Sequence, residues 1–148
     1  MSGILQVQTI LSKKVGGYMA NTHGHEITES FESNFADKEE LPVTLEDMWL
    51  KKAIARYSTE IEPLVFDDET WEFDSELPQY AIDTMANFMW QLYQERLVSK
   101  VNKRVSIVGK DLSYDGTGNT KKYSKEELDY ITIKSQEMIN NQITPAYN

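Results

Sequence analysis

Between Gln79 and Val101 the chain carries a helical repeat that is apolar on more than one face. Ile82, Met85, Ala86, Met89, Tyr93, Leu97 and Val101 recur at helical spacing, and Phe88, Trp90 and Leu92 fill the flanks between them. A helix with one apolar stripe needs one neighbour. This one needs cover from several sides, which makes it the centre of a helical fold. Pro78 suits its first turn, where a missing N–H costs nothing.

Two further helices are predicted as its cover. The first spans residues 45–61, with Thr44 as N-cap and Glu46 and Asp47 in the first turn. Leu45, Met48, Trp49, Ala53 and Tyr57 lie along one side, joined by the stems of Lys52 and Arg56, and Leu50, Ile54 and Ile61 widen the apolar face. Pro63 ends it. The second opens at a capping box, Ser124-Lys125-Glu126-Glu127, and runs to about Asn140 with Leu128, Ile131, Met138 and Ile139 inward. Trp49, Trp90, Met85 and Met89 read most simply as core.

The first 43 residues read differently. Gly3 to Val15 is a short apolar strand or helix closed by Gly16-Gly17, and Asn21 to Glu40 is polar and acidic. Ile27, Phe31 and Phe35 fall four apart, which suits one helix face, but the stretch as a whole reads as an extended arm that orders on a partner. The organisation expected is an arm over 1–43, a helical domain over 44–141 and a polar tail over 142–148. The fold class is mostly α: a bundle of about three main helices with a β-hairpin-like insertion before the last.

That insertion covers 102–123. Val105 to Val108 and Lys110 to Tyr114 are short β-like runs flanking Gly109, and Asp115-Gly116-Thr117-Gly118-Asn119 supplies turn residues. Between Asn102 and Lys125 six Lys or Arg face two Asp, in a chain of net charge -9. The opposite extreme is Glu60 to Glu76, with eight carboxylates and no Lys or Arg. The aromatics Phe66, Trp71 and Phe73 inside that acidic loop pack down or form an interface. Opposite charge on two regions of one chain permits head-to-tail association of copies.

Sites for chemistry are sparse. With 148 residues, 40% of them hydrophobic, the chain can bury a core, and without cysteine it has no disulfide, thiol nucleophile or thiolate metal site. No run approaches the roughly 18 apolar residues of a membrane span, and the N-terminus lacks a signal pattern, so a soluble protein made in a cytoplasm is expected. His23-Gly24-His25-Glu26 has metal-ligand residue types but no third histidine to converge on it, and reads as a solvated loop. Asp111 to Gly116 opens like a calcium loop, but its twelfth position is Lys122 where a bidentate Glu is required. Gly116-Thr117-Gly118 lacks P-loop spacing. No catalytic residue, cofactor or metal is assigned. An acidic body also argues against sequence-specific DNA binding.

The order of elements, with Ala53-Ile-Ala-Arg-Tyr57 on the first helix, the long helix Tyr80 to Val101, then Val105-Ser-Ile-Val-Gly-Lys-Asp-Leu-Ser-Tyr-Asp115 before a capped last helix, resembles the head–tail connector (adaptor) proteins of tailed bacteriophages. The likeness covers about residues 44–141. It implies a structural virion protein of the neck, assembled in the host cytoplasm as a dodecameric ring that binds the portal, meets tail or further neck proteins and lets DNA pass without specific contacts. On that reading Lys103, Arg104, Lys110, Tyr114, Lys121 and Lys122 reach a neighbouring subunit or the portal, and Phe66, Asp67, Asp68, Trp71 and Phe73 offer the complementary surface. Two other readings stay open: an acidic regulatory or inhibitory binding protein acting as monomer or dimer, and a metal enzyme built on His23 and His25.

Overall fold

The computed structural model describes residues 20–108 and 115–143, with side chains described over 20–103 and 121–143. Among these are four helices, α1 (Gly24–Glu32), α2 (Val43–Glu60), α3 (Gln79–Val108) and α4 (Asp115–Gln142), and a hairpin of two short strands, β1 (Phe66–Asp67) and β2 (Glu72–Phe73). The mostly helical class is as expected. No described helix is long and apolar enough to cross a membrane.

Helix α3 is the axis, flanked by α1, α2 and α4. Its buried residues Ala81, Ile82, Met85, Phe88, Met89 and Tyr93 join Trp49, Leu50, Ala53, Ile54 and Tyr57 of α2 and Ile139 of α4 in one core. Ile131 of α4 is also fully buried. Along the α3–α4 seam three buried polar residues of α3 each find a partner on α4. Thr84 Oγ1 accepts from Gln142 Nε2 at 2.7 Å, Asn87 Nδ2 donates to Ser135 Oγ at 2.6 Å, and Gln94 Nε2 donates to the Ser124 carbonyl at 3.1 Å. An unpaired amide in such a seam would cost about 1–3 kcal/mol, so the three pairs hold the antiparallel helices in one register.

Residues 20–43 are not an extended arm. Helix α1 lies in the core, with Ile27 and Phe31 at 0% exposure. Phe31 is ringed edge-on by Phe35 (5.2 Å between centroids), Tyr93 (6.2 Å) and Trp49 (6.4 Å). Ile27 and Phe31 share one face of α1, while Phe35 lies past its end and packs back onto Phe31; burying these side chains outweighs the acidic composition around them. Residues 1–19 lie outside the description, including Gly3 to Val15.

The hairpin sits elsewhere than expected. Over 101–108 and 115–123 the chain is helical, so the basic segment extends α3 and opens α4 in place of forming strands. Its centre, 109–114, and the tail residues 144–148 lie outside the description. Gly116 and Gly118 fall in the first turn of α4, where the N–H groups have no intrahelical partner to lose. Ser124 is consequently interior to α4 and caps nothing. Thr44 is likewise inside α2, whose N-cap is Pro42 with no side-chain bond. The real hairpin is the acidic, aromatic loop, paired Phe66 to Phe73 and Asp67 to Glu72. It gains a third edge from Thr22–Gly24: the Phe73 N–H donates to the Thr22 carbonyl (2.9 Å), the Thr22 N–H to Ser75 (3.0 Å) and the Gly24 N–H to Trp71 (2.8 Å).

Truncation at Phe31 separates core helix from loose arm. Phe31→Ala is expected to cost about 3–5 kcal/mol in urea unfolding, the usual figure for a buried aromatic; a change under about 0.5 kcal/mol would return this segment to the arm reading.

Candidate functional site

The predicted interface residues fall into two groups at separate places on the molecule. In the hairpin, Asp67 is committed to the turn. Its Oδ1 accepts from the Glu69 N–H at 2.8 Å and the Thr70 N–H at 3.4 Å, and its carbonyl accepts from the Trp71 N–H at 2.8 Å. This wraps the chain tightly enough to put Trp71 at φ 60°, a left-handed conformation disfavoured for a bulky residue. The indole is held against Gly24: a Cβ there would stand 2.6 Å from Nε1 and 2.7 Å from Cδ1. Phe66 packs on both Trp71 (5.1 Å) and Phe73 (4.8 Å). Phe73, 1% exposed, belongs to the core and has no surface to offer a partner. Asp68 pairs with Lys51 at 3.4 Å, and the same ammonium stands 5.7 Å above the Trp71 ring. Most of this group is thus occupied within the chain.

The motif His23-Gly24-His25-Glu26 has a structural role that sequence reading missed. His23 caps α1: its Nδ1 accepts from the His25 N–H at 3.2 Å, and Glu26 Oε2 accepts from the His23 N–H at 2.7 Å. This is a capping box with imidazole in place of a hydroxyl, and the Glu three residues on was its legible sign. Among the described residues no three His, Cys, Asp or Glu side chains converge as a metal site.

The basic group lies on the α3–α4 pair. Lys103, Lys121 and Lys122 are exposed there, as is Lys125. Arg104 is on α3 with its side chain undescribed, and Lys110 and Tyr114 lie outside the described residues. Past Lys100 helix α3 continues eight residues to Val108, about 12 Å at helical rise. The base of this projection is braced by the loop after α1: Glu39 pairs with Lys100, and its N–H donates to the Tyr93 hydroxyl at 3.2 Å. The hydrogen bond from Lys100 holds the Glu39 carboxyl below its ordinary range.

Lys38 pins that loop, its Nζ 3.2 Å from Glu32 and 3.3 Å from Glu46. Burial of Glu46, reinforced by the Glu32 carboxylate beside it, pushes the Glu46 carboxyl up to about 7, against the opposing pull of Lys38.

At the other end of the α3–α4 pair is a cleft of about 800 Å³, where α2 and α4 finish beside the start of α3. Tyr57, Ile61, Tyr80, Met138 and Ile143 give it apolar walls, and Glu60, Glu62 and Asp83 give it a negative rim. The Tyr57 hydroxyl donates to Gln142 Oε1 at 2.9 Å. Burial, with Glu62 and Tyr80 nearby, pushes that phenol up to about 12, so it stays a donor. Nothing in the sequence pointed to this cleft, since its lining comes from three separated segments.

Comparison with known protein families, curated proteins and solved structures finds no match to this chain.

Two outcomes are expected of this geometry. Gly24→Ala displaces the Trp71 indole, which is read as a red shift in tryptophan emission and a lower unfolding midpoint; an unchanged spectrum would show the contact to be slack. For Glu46, the folded value of about 7 exceeds the ordinary 4.5, so the folded state keeps a proton that the unfolded state releases in between. Its contribution is full below pH 4.5 and lost as pH rises through about 7. Glu46→Gln cannot ionise, and should flatten the urea midpoint over that window and gain on the wild type at higher pH.

Proposed function

We propose that this chain is a structural subunit of a multi-copy assembly, the neck ring that joins a phage portal to its tail and continues the DNA channel. The observation that carries the reading is the division of charge along one helical axis. Exposed Lys103, Lys121, Lys122 and Lys125 gather towards the projecting end of the α3–α4 pair, followed along α4 by Glu126 and Glu127, while Glu60 (paired with Arg56), Glu62 and Asp83 rim the opposite end. A polar molecule of this kind associates head to tail, and head-to-tail contacts close into rings when the rotation per copy allows. The projecting end takes the place that the connector resemblance gives to an extended loop before the last helix. The net charge of -9 is compatible with a conduit, which must not hold its DNA.

Native mass spectrometry of the full chain, alone and with the portal protein of the same phage, tests this directly. A closed multimer, alone or on addition of portal, is expected at low salt. It should fall back towards monomer near 1 M salt, where the screening length is only about 3 Å. A monomer or dimer that ignores portal and instead forms a one-to-one complex with a basic protein would replace the ring with the regulatory binder.

A further inference from the structure

We infer that the Lys38 cluster is a proton-operated latch, which holds loop 33–42 closed on α1 and α2 while the Glu32 and Glu46 carboxyls share one proton and releases it when that proton leaves. The inference is independent of the assembly reading. Lys38 is the loop's central tie. Its Nζ lies 3.2 Å from Glu32 at the end of α1 and 3.3 Å from Glu46 in the first turn of α2, and it donates to the Glu39 carbonyl at 3.0 Å. The same ammonium stands 5.9 Å from the centre of the buried Phe31 ring. Water reaches this site poorly, with the Lys38 side chain 10% exposed and that of Glu46 13%.

Two ionised carboxylates and one ammonium leave a net negative charge, and a shielded site disfavours ionising both acids side by side. One proton makes the cluster neutral and lets one acid donate to the other. Glu46 is the acid that keeps it, because the Glu32 side chain is far more exposed, at 41%. Burial above all, with Glu32 beside it, pushes the Glu46 carboxyl up to about 7 against the pull of Lys38. The charged groups that face the cluster come from each neighbouring element: Glu32 of α1, Glu46 of α2, Lys38 and Glu39 of the loop, and Arg96 and Lys100 of α3. The two α3 cations act on Glu39, which Lys100 holds below its ordinary range. Glu46 therefore supplies the change of charge near neutrality.

The sign follows from the two states. Closed, Glu46 titrates at about 7; in an open, hydrated loop it returns to the ordinary 4.5. Closing takes up a proton between those values, so its advantage is full below 4.5 and lost as pH rises through about 7. The consequence reaches beyond the loop. Glu39 follows Lys38 directly, its N–H on the Tyr93 hydroxyl and its carboxylate on Lys100, so an open latch also unties the base of the α3–α4 projection.

Hydrogen exchange of the full chain, followed by NMR and corrected for the intrinsic pH dependence of amide exchange, tests the latch. The reporters are the Glu39 amide and the Phe35 amide, which donates to the Glu32 carbonyl at 3.2 Å. Their open population should rise roughly tenfold between about pH 5.5 and about pH 8.5. It should do so through a local opening that low urea does not promote, while Met85 and Met89 in the core exchange far more slowly. Glu46→Gln keeps a hydrogen-bonding group and both histidines but cannot ionise, so its reporters should stay protected at both pH values. In Glu32→Gln, Lys38 balances an ionised Glu46, and the latch should remain closed above pH 7. Reporters that exchange only with the core, at one rate and one urea dependence, would show that no separate latch exists. A pH profile that survives Glu46→Gln would assign the effect to other groups, and one unchanged in Glu32→Gln would rule out the shared proton; either overturns the inference.

Discussion

From Ala81 to Met89 every residue of α3 except Asp83 is buried, and the other elements are arranged to satisfy that one demand. A helix apolar around most of its circumference cannot lie on a surface, so α1, α2 and α4 close on it from different sides. The hydrophobic effect alone would leave α4 free to slide along α3, because apolar contact is non-directional. The Thr84–Gln142, Asn87–Ser135 and Gln94–Ser124 pairs remove that freedom, since a shift along the helix would strand all three at once. Packing supplies the attraction and the polar ladder supplies the register.

The periphery is held by more local means. Loop 33–42 spans from α1 to α2 by fixing Lys38 between two carboxylates, and from there Glu39 reaches both Tyr93 and Lys100. The hairpin is fastened through Thr22, whose backbone pairs with Phe73 and Ser75 while its hydroxyl accepts from the Leu77 N–H at 2.8 Å. These contacts engage most of the hairpin's polar groups, although the buried Trp71 Nε1 has no hydrogen-bond partner. They also explain why three aromatics survive among its carboxylates: they plug the edge of the core.

The central helix was legible because its signal is periodicity, which depends only on neighbours along the chain. Ile82, Met85, Met89 and Tyr93 announce it, and Trp49, Ala53 and Tyr57 announce α2. Residues 24–32 were obscured by composition, since Glu26, Glu29 and Glu32 face away from a stripe only two or three residues wide. The stretches 101–108 and 115–123 run against their local preference for the opposite reason. Val105, Ile107 and Val108 have β preference and the glycines suggest turns, yet both flanks continue helices already committed to pairing. Local propensity yields to such a scaffold. The interface residues show the same division: Lys103, Lys121 and Lys122 are exposed, Phe73 is buried, and the cleft was invisible because it exists only once α2, α3 and α4 meet.

One consequence of α4 being unbroken from Asp115 to Gln142 concerns length. In the proposed assembly the lysine-bearing end and the acidic end are fixed to a single rod, so the repeat between copies is set by how many residues separate them. Adding one residue within that span would move the tip by about 1.5 Å and swing it by about 100° around the helix. Helix α4 therefore acts as a ruler and a protractor together, and small insertions there would alter the number of copies in a turn before they altered how tightly any two copies hold.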